Sequence, residues 1–181
     1  MVAKTPANPL TGERPPPLSI RPARANDVSR LSTFFVEAWK EAGPGALGFA
    51  GATDGAIGEI ASEEFLTKRL ATPTIQTTVA EEGRRIIGFS SVRRVESREA
   101  ELTSIVVLES AAGRGVGSRL LRKALDTARK RGFNSVLVKT EVANERAISF
   151  YRKSGFTDSG KAVERVGGTK VALRFMVKRL R

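Results

Sequence analysis

The apolar positions of this chain change period several times, and each change predicts an element. Leu18 and Ile20 alternate with polar neighbours up to Pro22, which predicts a short first strand closed by its proline. Val28, Leu31, Phe35 and Ala38 then recur at helical spacing with Trp39 beside them, and Asn26 or Asp27 stands where a helix cap is wanted. The spacing of Ile57, Ile60, Ala61, Glu64, Phe65 and Lys68 predicts a second helix that ends before Pro73. From there the period is two. Residues 74–81 read as a strand, Glu82-Gly83 as a turn, 85–95 as the returning strand, 97–99 as another turn and 100–107 as a third antiparallel strand. The end of that strand, Ile105-Val106-Val107, is apolar at consecutive positions, so both of its faces are expected to be covered.

The second half carries the strongest amphipathic pattern. Val116, Leu120, Leu121, Ala124, Leu125 and Ala128 form one stripe, and Arg119, Arg122, Lys123, Asp126 and Lys130 form the opposite face. Arg129, Lys130 and Arg131 suit the negative end of that helix, and Gly132 can take the left-handed stop position. Val136-Leu137-Val138, inside a strand over 135–140, is apolar without alternation, as an inner parallel strand after a right-handed crossover should be. Asn144 caps a further helix that stops at Gly155. Residues 162–166, the turn Gly167-Gly168, and Val171, Leu173, Phe175 and Val177 alternating with polar neighbours predict a closing hairpin. The fold class is α/β (α+β): a mixed, mostly antiparallel, twisted sheet flanked by helices, with a central βαβ unit and a C-terminal β-hairpin.

Two segments do not fit that alternation. Residues 1–17 hold Pro6, Pro9 and Pro15-Pro16-Pro17 with little apolar material, so they are expected to form a flexible leader before one domain over 18–181. From Glu41 to Gly58 the chain has six glycines, which suits either a plain mobile connection or a lid over a substrate.

Composition narrows the chemistry. The 181 residues contain no Cys and no His, so a disulfide framework, a thiolate nucleophile, a thiol zinc site, a Ser-His-Asp triad and an imidazole base are all excluded. Catalysis would fall to carboxylates, Lys, Tyr, hydroxyls, backbone dipoles or water; no metal is expected. No apolar run approaches the roughly 20 residues that span a bilayer, and the first residues lack the apolar core of a secretory signal. A cytoplasmic protein without a membrane partner is the expectation. The net charge of +12 is either a solvated surface or an attraction for a polyphosphate cofactor, an acidic substrate or nucleic acid. Aromatic residues are only 6% of the chain, which disfavours a stacking platform for single strands and leaves nucleic acid the less favoured partner.

Gly113-Arg114-Gly115-Val116-Gly117 lies between a buried strand and a helix. Glycines let successive N–H groups face one concavity, and a helix N-terminus adds about half a positive charge. Such a turn is either an anion site or a tight strand-to-helix connection. It is not a Walker loop, because Gly117-Ser118-Arg119 lacks the required lysine, and the dinucleotide fingerprint would need a third glycine where Ser118 stands.

The run Val107-x5-Gly113-Arg-Gly-Val-Gly117-x2-Leu120, followed by Asn144-x2-Ala147-Ile148-x-Phe150-Tyr151-x3-Gly155-Phe156, resembles the GNAT superfamily of acetyl-CoA-dependent N-acetyltransferases over residues 85 to 178. The resemblance implies a transferase that moves an acetyl group from acetyl-CoA to a primary amine. It places Ile105, Val106 and Val107 along the pantetheine arm, Gly113, Arg114, Gly115, Val116, Gly117 and Ser118 around the pyrophosphate, Asn144 at the pantetheine part, and Tyr151 as the acid that protonates the departing thiolate. Where Ala112 stands the family often has Gln or Arg, so one side-chain contact to phosphate is missing and Arg114 is the residue that could replace it. Lys139 stands where some acetylases of protein N-termini carry Glu, which weakens that acceptor class.

Without His or Cys, direct attack of the amine within a ternary complex is the economical route. An alkyl amine with a pKa of about 10.4 is mostly protonated at neutral pH, so a carboxylate must receive its proton, directly or through water. Glu101 matches the position of the base in some histone-type members of the family, or is a solvent-facing strand residue; Glu141 is a weaker candidate. Tyr151, the only tyrosine, is either the acid or a core residue beside Phe150. Asn144 can cap a helix and touch the cofactor at once. The basic face of the long helix and Arg152-Lys153 are either solvated charge or a contact for the adenosine 3′-phosphate. The acceptor is a small-molecule or protein amine, a homodimer is compatible with the sequence, and the alternatives are an acyl-CoA-binding regulatory module or a basic nucleic-acid-binding protein.

Overall fold

The computed structural model describes residues 16–43, 54–166 and 169–180. Most of the Pro-rich leader, most of the glycine-rich segment and the turn Gly167-Gly168 lie outside the described residues. The strands are β1 (Leu18–Pro22), β2 (Ile75–Glu82), β3 (Arg85–Arg94), β4 (Glu99–Val107), β5 (Ser135–Glu141), β6 (Thr157–Val166) and β7 (Thr169–Arg179), and the helices are α1 (Val28–Ala42), α2 (Asp54–Ile60), α3 (Glu63–Ala71), α4 (Val116–Lys130) and α5 (Glu145–Lys153). The strands form one seven-stranded sheet in the order β1-β2-β3-β4-β5-β7-β6. Among the described residues only β4 and β5 run parallel, joined by the α4 crossover, and every other pairing is antiparallel. This is the mixed, mostly antiparallel sheet that the periodicity predicts.

Helices cover both faces. On β3, Phe89 packs against Phe35 of α1 with ring centroids 5.0 Å apart. Its neighbour Gly88 points the other way, where an added Cβ would lie 2.9 Å from Leu120 and 3.1 Å from Val116 of α4. A glycine at this position therefore lets the start of α4 approach the sheet. The apolar stripe of α4 continues into a second cluster, in which Leu121, Ala124 and Leu125 meet Val138 of β5, Met176 of β7, and Ile148 and Tyr151 of α5.

Three expectations are corrected. The single helix expected between Ile57 and Pro73 is two, α2 and α3, because Ser62 caps a new helix by accepting the N–H of Phe65 at 3.2 Å. The closing hairpin is longer than expected, since β6 begins at Thr157. Asp27 stands at the N-terminus of α1 but does not cap it: its carboxylate accepts the backbone N–H of Arg24 at 2.8 Å and the Arg21 guanidinium at 2.7 and 2.9 Å. Among the described residues, no helix is long and apolar enough to cross a membrane.

Candidate active site

The site is set by where β4 and β5 stop being neighbours. Their parallel register runs Glu99↔Ser135, Ala100↔Val136, Glu101↔Leu137 and Leu102↔Val138, and goes no further. Yet β4 continues to Val107 paired with β3, through Ser90↔Ile105, Phe89↔Val106 and Gly88↔Val107. β5 likewise continues to Glu141 paired with β7. The two central strands therefore part after Leu102, and the β5-facing edge of Thr103 to Val107 carries backbone groups without a strand partner. Thr103 is also the extra residue of a bulge, since Ser91 faces Ser104 and Val92 faces Leu102. A bulge beside a split re-aims the side chains around it.

At the end of that edge stands the glycine turn. Gly113 and Gly115 adopt φ of 72° and 76°, and Gly115 is the left-handed N-cap of α4. Among the described residues no side chain caps the helix. The first backbone bond of α4 is Arg119 N–H to the Gly115 carbonyl at 3.1 Å, and the N–H groups of Val116, Gly117 and Ser118 make no backbone hydrogen bond among the described residues. A Cβ built on Gly113 or Gly115 meets nothing within 4 Å, so the turn that leads into the helix is uncrowded. An uncapped start to a 15-residue helix, reached through an uncrowded glycine turn, suits a diphosphate. The turn also touches the other expected cofactor elements: a Cβ on Gly117 would lie 3.7 Å from Val107 and 3.9 Å from the Phe150 ring. Arg146 of α5 pairs with Glu109, just beyond β4, at 3.2 Å. Residues 105–107, 113–118 and α5 are thus brought to one place.

The individual side chains fall out as follows. Asn144 caps α5, its Oδ1 accepting the Ala147 N–H at 3.0 Å, which leaves its amide NH2 to donate elsewhere. Arg114 is paired with Glu82. Tyr151 is buried within the second apolar cluster, its ring 5.3 Å from Phe150 and 5.4 Å from Phe156. Burial pushes its phenol pKa well above the ordinary tyrosine value, so the hydroxyl keeps its proton at physiological pH. Both readings of this residue, core and proton donor, are compatible with that placement.

On the α1–α3 face of the split lies a cavity of about 390 Å³. Phe35, Phe65 and Phe89 give it apolar walls, and Arg69, Arg93, Glu101, Lys139, Glu141 and Glu164 supply charge. Glu101 is 6% exposed and lines this cavity, so it is not a solvent-facing strand residue. Arg93, its cross-strand partner, donates to Oε2 through Nε at 2.9 Å and Nη2 at 2.6 Å. Oε1 makes no hydrogen bond among the described residues and is not sealed from the cavity. Glu141 lines the same cavity. Tyr151 does not line it, so the acid and base candidates approach the split from different sides. Sequence reasoning missed Arg93 and Arg69. The first was readable, because a β3–β4 hairpin turning near Ser97 sets Arg93 opposite Glu101; the second, on an exposed-looking helix, gave no signal.

The profile of the Acetyltransferase (GNAT) family matches residues 52–156, more than half of the chain, and the chain belongs to that family. An IAA acetyltransferase from Azospirillum brasilense is 34% identical over 92 residues, covering 50% of this chain and 60% of that protein's length. An uncharacterized N-acetyltransferase from Bacillus subtilis is 28% identical over 146 residues, covering 78% of this chain and 91% of the relative. The PaiA N-acetyltransferase from Thermoplasma acidophilum, solved in complex with coenzyme A, has the same fold: the TM-score is 0.71 at 23% identity, over 91% of this chain and 99% of that one.

Proposed function

We propose that the chain is an N-acetyltransferase that moves an acetyl group from acetyl-CoA to a primary amine by direct attack in a ternary complex. The observation that carries this reading is the parting of β4 and β5 after Leu102 and Val138, beside the uncapped start of α4. The edge left open at Ile105, Val106 and Val107 can hydrogen-bond an extended, amide-bearing arm. The N–H groups of Val116, Gly117 and Ser118 can hold a diphosphate, with Gly113 and Gly115 keeping side chains out of the way. Arg114 can turn from Glu82 toward that diphosphate, which offsets the small side chain of Ala112. Acetyl-CoA supplies an activated thioester and a thiolate leaving group.

The acceptor amine enters from the cavity on the α1–α3 face. Glu101 takes its proton through the open Oε1, directly or by way of a water, while Arg93 fixes the carboxylate through Oε2. Tyr151, protonated at physiological pH, gives its proton to the departing thiolate. Asn144 orients the cofactor with its free amide while capping α5. No protein nucleophile takes part.

Initial velocities of thiol release over a grid of acetyl-CoA and amine concentrations test this scheme. Intersecting double-reciprocal lines and one acetylated amine per thiol are expected. Parallel lines would exclude the ternary complex, and saturable acetyl-CoA binding without thiol release for any amine would make the chain a regulatory acyl-CoA-binding module.

A further inference from the structure

Three cations line the cavity, and two of them are neutralised: Arg93 by Glu101, and Lys139 by Glu164 at 2.9 Å. Arg69 is different. It meets no carboxylate among the described residues. Its Nη2 donates to the Thr103 hydroxyl at 3.2 Å, its guanidinium lies over the Phe89 ring at 5.7 Å, and its Nε is sealed from solvent without a partner. Nη1 makes no hydrogen bond among the described residues and, unlike Nε, is not sealed. Burial, and then the charge of Arg93, hold its pKa below the ordinary guanidinium value. A guanidinium nevertheless stays charged in proteins. A half-buried cation without a counter-ion is stabilised when something that enters the site supplies the anion.

We propose that Arg69 is a specificity-determining residue that binds a carboxylate on the acceptor, and that the acceptor is a small amino carboxylate with an apolar body. This rests on reading the cavity as the acceptor site. Thr103, which holds Arg69, is two residues from Glu101 on β4, so an acceptor whose carboxylate meets Arg69 can present its amine to Glu101. The Phe35, Phe65 and Phe89 walls take the apolar body. A volume near 390 Å³ is that of a site for a small molecule.

The test compares phenylalanine and leucine with their amides and with spermidine, as acceptors in thiol release and as ligands titrated calorimetrically into the coenzyme A-bound full chain. The free acids are expected to bind and turn over at least about tenfold better than the amides, because only a carboxylate offsets the guanidinium charge and presents two equivalent oxygens to its donors. Arg69→Gln should remove that preference by raising KM for the acids alone, and Arg69→Lys should restore part of it. Equal use of acid and amide by the unaltered chain, a preference for spermidine, absence of binding by either acid, or a preference that survives in Arg69→Gln each overturns the proposal. The unaltered chain decides the matter even if the variants fold poorly. Acid-selective binding without thiol release from any amine would keep the carboxylate site and remove the acetyl-transfer reading instead.

Discussion

Arg93 and Glu101 face one another across β3 and β4, and both donors of the arginine, at 2.9 and 2.6 Å, fall on a single carboxylate oxygen. The other oxygen is left for the cavity. A carboxylate held this way has a fixed direction and one open site for a proton. Glu101→Gln keeps the shape and removes the base. Turnover at neutral pH should fall by about 10²–10³-fold, within the usual worth of a positioned base. The deficit should narrow as the pH approaches the acceptor amine's own pKa, where the amine loses its proton unaided. A pH–rate profile of the two proteins checks this, and a constant ratio at every pH would remove Glu101 from the role.

Tyr151→Phe separates the two readings of a buried tyrosine. The hydroxyl has no hydrogen-bond partner among the described residues, so its loss should leave the melting temperature nearly unchanged. If the phenol protonates the thiolate, kcat should fall by about 10²-fold or more while KM for acetyl-CoA barely moves. Because burial raises the phenol pKa, Tyr151 should also contribute no alkaline fall in rate below about pH 10. Full turnover by the variant would contradict the acid role.

Gly88 links the fold to the cofactor turn. An alanine there would put its Cβ 2.9 Å from Leu120, 3.1 Å from Val116 and 3.3 Å from Ala80, none of them the end of a long flexible chain. Overpacking of this kind costs about 1–3 kcal/mol. Since Val116 opens α4, the displacement should reach the donors of the first turn. Gly88→Ala should therefore lower both the denaturant midpoint and acetyl-CoA affinity, and a stability loss with unchanged affinity would show that the turn does not depend on this contact.

Gly115→Ala should act differently. Its Cβ would meet nothing, so any cost comes from holding φ at 76° with an L side chain, about 1–2 kcal/mol. Relief of that strain would turn the first N–H groups of α4 away from the concavity. The expected result is a loss of acetyl-CoA affinity, measured by calorimetry, larger than the loss of folding stability.

Far from the site, Asp27 predicts the acid limb of stability. It is fully buried, and its pKa is lowered from 3.8 to about 2, chiefly by the Arg21 hydrogen bonds, with burial opposing them. Arg30 and Glu81 complete a network tying β1, α1 and β2. A depressed folded-state pKa means that the contribution is complete above the unfolded value and is lost as the pH falls from about 4 to 2, roughly 2 kcal/mol in all. Urea unfolding at stepped pH should show that slope, and Asp27→Asn should flatten it.

What could be read from the chain, and what could not, follows the range of the forces involved. The stretch from Glu101 to Phe156 was legible because its signals are local: a covered strand, a glycine turn, an amphipathic stripe and a capping Asn144. The break between α2 and α3 was not, because Ile57, Ile60, Ala61, Glu64 and Phe65 keep helical period straight across it while Ser62 restarts the helix. β6 starts early in Thr157-Asp-Ser-Gly-Lys161, which has no apolar alternation and forms a strand only because β7 pairs with it. The roles of Gly88, the bulge at Thr103 and the unneutralised Arg69 depend on which surfaces meet, and no local pattern carries that information. Glu101 was legible as a candidate, but its burial and its Arg93 partner became visible only with the register.

The central claim is that the gap between β4 and β5 and the start of α4 hold acetyl-CoA. Calorimetric titration of the full chain with acetyl-CoA tests it most directly. One-to-one, saturable binding at or below tens of micromolar, the range in which such enzymes meet their substrates, is the predicted result. No binding heat at those concentrations, with no protection of the chain against thermal unfolding by the same ligand, would contradict it.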